Sequence, residues 1–312
     1  MAGRTRSVLH YFLKRLGGAI PTLFIIITVS FFMIRLAPGG PFDKERAVPP
    51  DIEANLKRAY HLDESLPKQY MRYLEGVAQG DFGPSFKYKD FTVAELIAQG
   101  FPTSLTLGSL AMATALAIGL TLGIAAALGQ NTATDYGAMG VSMLGLAVPN
   151  FVIAPLLTLI FGLILRWLPV GGWGHPQNYV LPIVALCLPQ IASISRLTRA
   201  SMIEVLGSNF VRTARAKGMP ERVAITRHAL RAALLPVVSY LGPAIAQIIT
   251  GSVVIEQIFS IPGIGRYFVQ SSLNRDYTMV MGVTIFYGAV VIFCNLMADL
   301  LYGVLDPKVR YD

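Results

Sequence analysis

The residues best placed to do chemistry form one short stretch, Asn209-Phe210-Val211-Arg212-Thr213-Ala214-Arg215-Ala216-Lys217-Gly218. Their chemistry is non-covalent: cationic, hydroxyl and aromatic side chains in a few turns suit docking against another protein. The surrounding segment, 196–231, carries eight Lys/Arg and two Asp/Glu, whereas the runs 167–195 and 232–255 on either side carry none of these residues. No catalytic constellation accompanies it. The chain has no G-x-x-x-x-G-K-[ST] to cradle a nucleotide, no G-x-S-x-G, no H-E-x-x-H and no C-x-x-C. Cys187 and Cys294 read as small buried hydrophobes, and His10, His61, His175 and His228 are scattered without metal-ligand spacing.

A second set of polar residues lies inside apolar runs. Asn150 follows Pro149 and precedes Pro155, Gln190 follows Pro189, Gln247 follows Pro243, and Asn295 stands four residues before Asp299. Prolines break intrahelical bonds, and single amides beside them either line a path or bond a neighbouring helix. Asn150, Gln190, Gln247 and Asn295 are the candidates for a translocation path. The absence of paired midplane carboxylates fits an adaptable path for a bulky solute better than an ion-driven pump.

The elements that position these residues follow from composition. The chain is 54% hydrophobic and 14% charged, against about 25% charged in a soluble domain. Charge-free runs at 16–34, 96–134, 136–165, 167–195, 232–255 and 277–298 each reach the roughly 20 residues that cross a bilayer core as helix. Six spans are therefore predicted, at about 13–35, 102–128, 137–165, 178–199, 232–255 and 279–304. Together they make an all-α membrane protein. The first run is too long for a signal-peptide core and reads as a retained helix.

Residues 1–15 hold four basic and no acidic residues, and 196–231 has a net charge of +6. The positive-inside rule assigns both to the cytoplasm, and six spans then bring the carboxy terminus inside as well. The organisation reads as 1–37 (cytoplasmic amino terminus and first span), 38–100 (external insert) and 101–312 (five-span core with a cytoplasmic loop at 200–231). Within the insert, Asp51–Tyr60 and Pro67–Ala78 show helical periodicity, and 80–86 is turn-rich. In the second span, Gly119 and Gly123 permit close helix approach. In the 196–231 loop, Gly207-Ser208 breaks one helix, Ser208 or Asn209 caps the next, and Gly218 with Pro220 ends it. On these grounds a docking helix and an ordinary basic inner loop touching lipid headgroups are equally good readings.

Arg212-Thr213-Ala214-x-x-x-Gly218 resembles the E-A-A-x-x-x-G motif of bacterial ABC-importer permeases, and the full 209–218 stretch is similar to the version in dipeptide and oligopeptide permeases of the B-subunit type. Further matches follow in order: Arg35-Leu36-Ala37-Pro38-Gly39, Gly80-Asp81-Phe82-Gly83, Val254-Ile255-Glu256-Gln257-Ile258-Phe259 with Pro262-Gly263-Ile264-Gly265, Asn274-Arg275-Asp276-Tyr277, and Asp306-Pro307-Lys308-Val309-Arg310-Tyr311. Two departures stand out. Arg212 occupies the motif's opening Glu position. The expected I-x-L-P is replaced by His228-Ala229-Leu230-Arg231, with a proline only at Pro236.

The resemblance implies a type I ABC-importer permease fold in a bacterial inner membrane. It implies a different second permease subunit as heterodimer partner, two ATPase subunits and an extracytoplasmic peptide-binding protein, with no nucleic acid. It implies no cofactor on this chain, ATP and Mg being held by the ATPases. Asn209, Phe210, Arg212, Thr213, Ala214, Arg215, Ala216, Lys217 and Gly218 would form the helix that couples ATP hydrolysis to transport. The implied cargo is a peptide, oligopeptides first, with dipeptides, glutathione, nickel chelates or another peptide-like solute as same-family alternatives and an ion-coupled secondary transporter as the rival class.

Overall fold

A computed structural model of the chain describes residues 2–36, 61–88 and 90–305. The expected helix at Asp51–Tyr60 and the motif at Asp306–Tyr311 lie outside the described residues. The described elements are α1 (Ala2–Leu36), α2 (Leu66–Ala78), α3 (Val93–Leu128), α4 (Ala133–Ala147), α5 (Asn150–Ile164), α6 (Pro176–Leu206), α7 (Asn209–Ala216) and α8. The last runs from Glu221–Val223 through a π-helical stretch, Ala224–Ala229, to Leu230–Ala233. Then come α9 (Leu235–Ile258), α10 (Ile264–Leu273) and α11 (Tyr277–Leu305). Five of these are long and apolar enough to cross a membrane: α1, α3, α6, α9 and α11.

The expected third span, 137–165, is not one kinked helix. It divides into α4 and α5, whose axes differ by 99°. The cause is local. Val148 precedes a proline and is extended (φ −114°, ψ 125°), and Pro149 follows at ψ 142°; a residue before proline is sterically driven out of the helical region.

Helix directions follow from the contacts. A Cβ on Gly119 would lie 2.9 Å from Ile194 Cβ, and one on Gly123 would lie 2.6 Å from Thr198 Cβ. The expected small-residue seam thus joins α3 to α6, and the two helices run parallel. Because they are parallel, residues 129–175 return the chain across the full bundle, so the bent pair α4–α5 makes one net crossing. Asp135 against Arg199 and Gly145 against Leu188 set α4 antiparallel to α6. Ser104 against Glu256 and Gly108 against Ile248 set α9 antiparallel to α3, and Arg15 against Asp299 and Ile26 against Gly288 set α11 antiparallel to α1. Among the described residues, five apolar helices and the bent pair taken as one span make six.

The core is made of Leu107, Ala111 and Ala115 from α3, Ala185, Ile191 and Ile194 from α6, and Ile248 and Ile255 from α9. Alanines stand among the larger Leu and Ile side chains because lipid offers no hydrophobic drive, so close packing must hold helices together. At about 54 Å for 36 residues, α3 exceeds the roughly 30 Å hydrocarbon core. Its first turns project at one end, opened by a reciprocal cap in which Glu95 N donates to Thr92 Oγ1 and Thr92 N donates to Glu95 Oε2. The insert boundary drawn at residue 100 therefore falls within a continuous helix.

At that same end α2 covers the last turns of α1. Tyr70 and Thr28 share a hydroxyl hydrogen bond of 2.7 Å, and Phe31 is buried against the rings of Tyr70 and Tyr73. The opposite end carries α7 and α8, with Arg212, Arg222, Arg227 and Arg231 all exposed.

Candidate coupling helix and translocation face

The α7 helix begins where Ser208 turns extended (φ −71°, ψ 154°); its hydroxyl donates back to Val205 O and does not cap the new helix. It ends at Gly218, whose φ of +79° disfavours any Cβ-bearing residue. Gly218 N donates to Arg215 O and Met219 N to Ala214 O, the paired bonds that satisfy a helix's last carbonyls.

The helix has two different faces. Val211 and Ala214, three residues apart, are buried where α7 meets the π-helical stretch of α8, whose Ala224 and Ala229 are fully buried. Asn209, Phe210, Arg212, Thr213, Ala216 and Lys217 face outward. Phe210 is 49% exposed, an aromatic ring on an otherwise polar surface. Aromatic and arginine side chains are the usual anchors of protein interfaces. Arg215 does different work. Its Nη2 and Nε donate to Glu221 Oε1 and Oε2 at 2.6 and 3.0 Å, and its Nη1 donates to Leu206 O at 3.4 Å. The pairing holds the Glu221 carboxyl below, and the Arg215 guanidinium above, its ordinary range. Arg215 thus ties the end of α6 to the start of α8 around α7. Arg212 and Lys217 make no ion pair among the described residues.

Of the candidate path residues, two meet. Gln190 Nε2 donates to Gln247 Oε1 at 3.1 Å, and Tyr240 OH donates to Gln190 Oε1 at 2.8 Å. Tyr240 escaped the sequence reading; its signal was its position two turns before Gln247 on the same helix. Gln247 belongs to an exposed row on α9 with Pro236, Ser239, Pro243, Val254 and Gln257. Lipid tails offer no hydrogen bonds, so a row with this polarity suits water or protein better than lipid. Asn150 opens α5 directly after the bend. Asn295 is apart from these, in a groove between α1 and α11 lined by Thr22, Asp299 and Arg15, the last two 3.2 Å apart.

The motifs at the other end interlock. Glu256 is fully buried; its Oε1 accepts from Ser252 Oγ and its Oε2 from Gly265 N, capping α10. A Cβ at Gly263 would collide with this carboxylate at 2.2 Å. Asp276 caps α11 by accepting from Met279 N, and it also accepts from Ser85 Oγ and from the backbone N of Phe86 and Lys87. The helix α10 was not expected; Gly263 before Ile264, Tyr267 and Phe268 was its available signal.

Known proteins resemble this chain over nearly all its length. Residues 119–311 match the family model described as binding-protein-dependent transport system inner membrane component, and 8–108 match the model of that family's N-terminal part. The oligopeptide transport system permease protein OppB of Salmonella typhimurium is 56% identical over 306 residues, covering 97% of this chain and all of that protein. The dipeptide transport system permease protein DppB of Bacillus subtilis is 44% identical over 301 residues, covering 96% of this chain and 98% of that protein. Among solved structures, an inward-facing MetNI methionine ABC transporter aligns at TM-score 0.56 and 14% identity, over 68% of this chain and 96% of that one. An amino acid ABC transporter aligns at TM-score 0.51 and 17% identity, over 69% and 94%. The chain belongs to the family of binding-protein-dependent transport system inner membrane components, and its fold is that of a type I ABC-importer permease.

Proposed function

We propose that this chain is the permease subunit of an ATP-driven peptide importer, oligopeptides being its first cargo, and that an ATPase subunit grips the outward face of α7. The observation that carries the proposal is the division of α7 into a buried side, Val211 and Ala214, and an exposed side bearing Phe210, Arg212 and Lys217. A plain headgroup-binding loop has no need of a helix packed on α8, closed at Gly218 and presenting an aromatic ring. The cargo follows from 56% identity to an oligopeptide permease, and the 44% identity to a dipeptide permease makes dipeptides the second reading.

In this account the basic end and both termini are cytoplasmic, and α2 and α10 lie outside in the path of a peptide-binding protein. A second, different permease covers the polar row on α9, and the two chains enclose the path. Two ATPase subunits hold the ATP and Mg; this chain binds neither. A push on α7 reaches α6 through Gly207-Ser208 and α9 through α8. These two helices meet at Gln190 and Gln247, so one displacement at the basic end changes the wall of the path.

The test is peptide uptake by the complete assembly in proteoliposomes. Uptake that needs internal ATP and loaded binding protein, and that survives collapse of proton and sodium gradients, supports the proposal. Uptake that follows an ion gradient without ATP overturns it.

A further inference from the structure

We infer that Gln247, oriented by Gln190 and Tyr240 and set beside Gly251, hydrogen-bonds a main-chain carbonyl of the passing peptide, so that this wall of the path reads backbone and not side chains. This inference rests on the peptide-importer reading above.

The three polar groups form an ordered chain. Tyr240 OH donates to Gln190 Oε1 at 2.8 Å, and Gln190 Nε2 donates to Gln247 Oε1 at 3.1 Å. Gln190 is 4% exposed, and Tyr240 is half-buried against the core. Two groups held within the packed helices thus fix the direction of an amide that stands at the surface. With its oxygen turned to Gln190, Gln247 leaves its Nε2 outward. An amide nitrogen is a donor only, and this one has no partner among the described residues. Gln247 is exposed, so its donor is open to whatever occupies the path.

The neighbours of Gln247 on the same row leave this role to it. Ser239 and Thr250 spend their hydroxyl protons on carbonyls four residues back, Leu235 O at 3.2 Å and Ala246 O at 2.8 Å. Pro236, Pro243 and Val254 have no side-chain donor. One turn beyond Gln247, on the same side of the helix, a Cβ on Gly251 would meet no atom within 4 Å. No packing contact in this chain requires that glycine, and a residue without a side chain lets another backbone approach closely. The stretch 232–255 carries no Lys, Arg, Asp or Glu, so nothing on it selects a charged side chain. A neutral donor beside a bare strip of helix suits a peptide main chain, which offers a carbonyl at every residue whatever its sequence. A path that passes many sequences needs that indifference.

The experiment measures ATP-dependent uptake by the complete assembly in proteoliposomes, at saturating loaded binding protein. The probes are an all-alanine, a lysine-rich and an aspartate-rich pentapeptide. A further series of the all-alanine peptide carries a thioamide at each peptide bond in turn, which weakens the carbonyl as an acceptor and keeps the N–H. We expect Gln247→Leu to slow the three parent peptides by one common factor of about five, the worth of a single neutral hydrogen bond. At least one thioamide should slow the wild type about threefold, and Gln247→Leu should abolish that difference. Tyr240→Phe, which loosens Gln190 and leaves Gln247 in place, should shrink it. Gly251→Leu, which has room within this chain, should also slow all three parents alike, and it remains informative if Gln247→Leu assembles poorly. A thioamide penalty absent from the wild type, or undiminished in Gln247→Leu, overturns the carbonyl contact. Slowing confined to the lysine-rich or the aspartate-rich peptide overturns the backbone assignment. Loss of the partner permease from Gly251→Leu means that this face is closed between subunits and overturns the site. The wild type separates the two levels: ATP-dependent uptake with no thioamide penalty sinks only this site, and no ATP-dependent peptide uptake sinks the importer reading itself.

Discussion

Ser85 Oγ donates a 2.5 Å hydrogen bond to Asp276 Oδ2 across 191 positions of sequence, with both residues almost completely buried. Two motifs that look independent in the sequence, the 80–86 turn and Asn274-Arg275-Asp276-Tyr277, are therefore one structural unit. It clamps the 80–86 turn onto the first turn of α11. Hydrogen bonds to a charged group contribute about 1.5–3 kcal/mol. Ser85→Ala should lower the stability of this end by that order. The readout is faster proteolysis at 84–88 in the purified assembly, with the basic end unaffected.

The α3–α6 seam tolerates no side chain at Gly119, where a Cβ would meet Ile194 at 2.9 Å. Gly119→Leu should separate the helices, at a cost of about 1–3 kcal/mol or more for overpacking. A drop in detergent melting temperature and loss of folded permease would report it; Gly137→Leu, with open space around it, is the matched control.

Asp135 is 2% exposed and is held by Arg199 in a two-point ion pair, Nε to Oδ1 at 2.5 Å and Nη2 to Oδ2 at 2.6 Å. It fastens the broken span to the helix that leads into α7. Arg199→Ala leaves a buried carboxylate without its cation, which is worse than losing both charges. We expect Arg199→Ala to reduce assembly yield and uptake several-fold, and Asp135→Asn with Arg199→Gln to recover most of it. Equal loss in single and double variants would count against the pair.

The Arg215–Glu221 brace should depend on pH in one direction. Glu221 is held below its ordinary value of 4.5, so the folded state binds its proton less readily than the unfolded state. Its contribution is fully present above about 4.5 and is lost as pH falls through the lower folded value. Amide exchange at Gly218 and Met219, measured for protection relative to the unfolded chain, should be flat from pH 6 to 8 and lose protection only in acid. Glu221→Gln should give the acid-like behaviour at neutral pH.

Charge-free runs and one basic loop disclosed most of this architecture, because a bilayer makes span length and polarity nearly sufficient. Gly218 was legible for a similar reason: only glycine is comfortable at φ +79°. The 99° break was not, since Pro149 announces a bend without its size. The division of labour on α7 was also hidden. Ala214 and Phe210 belong to the same motif, yet one is buried and the other exposed, and only the position of α8 decides which. Asn295 and Gln247 look alike as isolated amides; their different neighbours follow from helix order around the bundle, which periodicity does not encode.

In the proposed function the exposed face of α7 transmits ATP hydrolysis to the path. The most direct measurement is peptide uptake and binding-protein-stimulated ATPase activity in the reconstituted assembly, for Phe210→Ala, Arg212→Glu and Gly218→Asp. We expect each to cut stimulated ATPase and uptake at least tenfold while the permease still inserts and pairs with its partner permease. Wild-type uptake by all three variants would show that α7 does not couple the ATPase to transport.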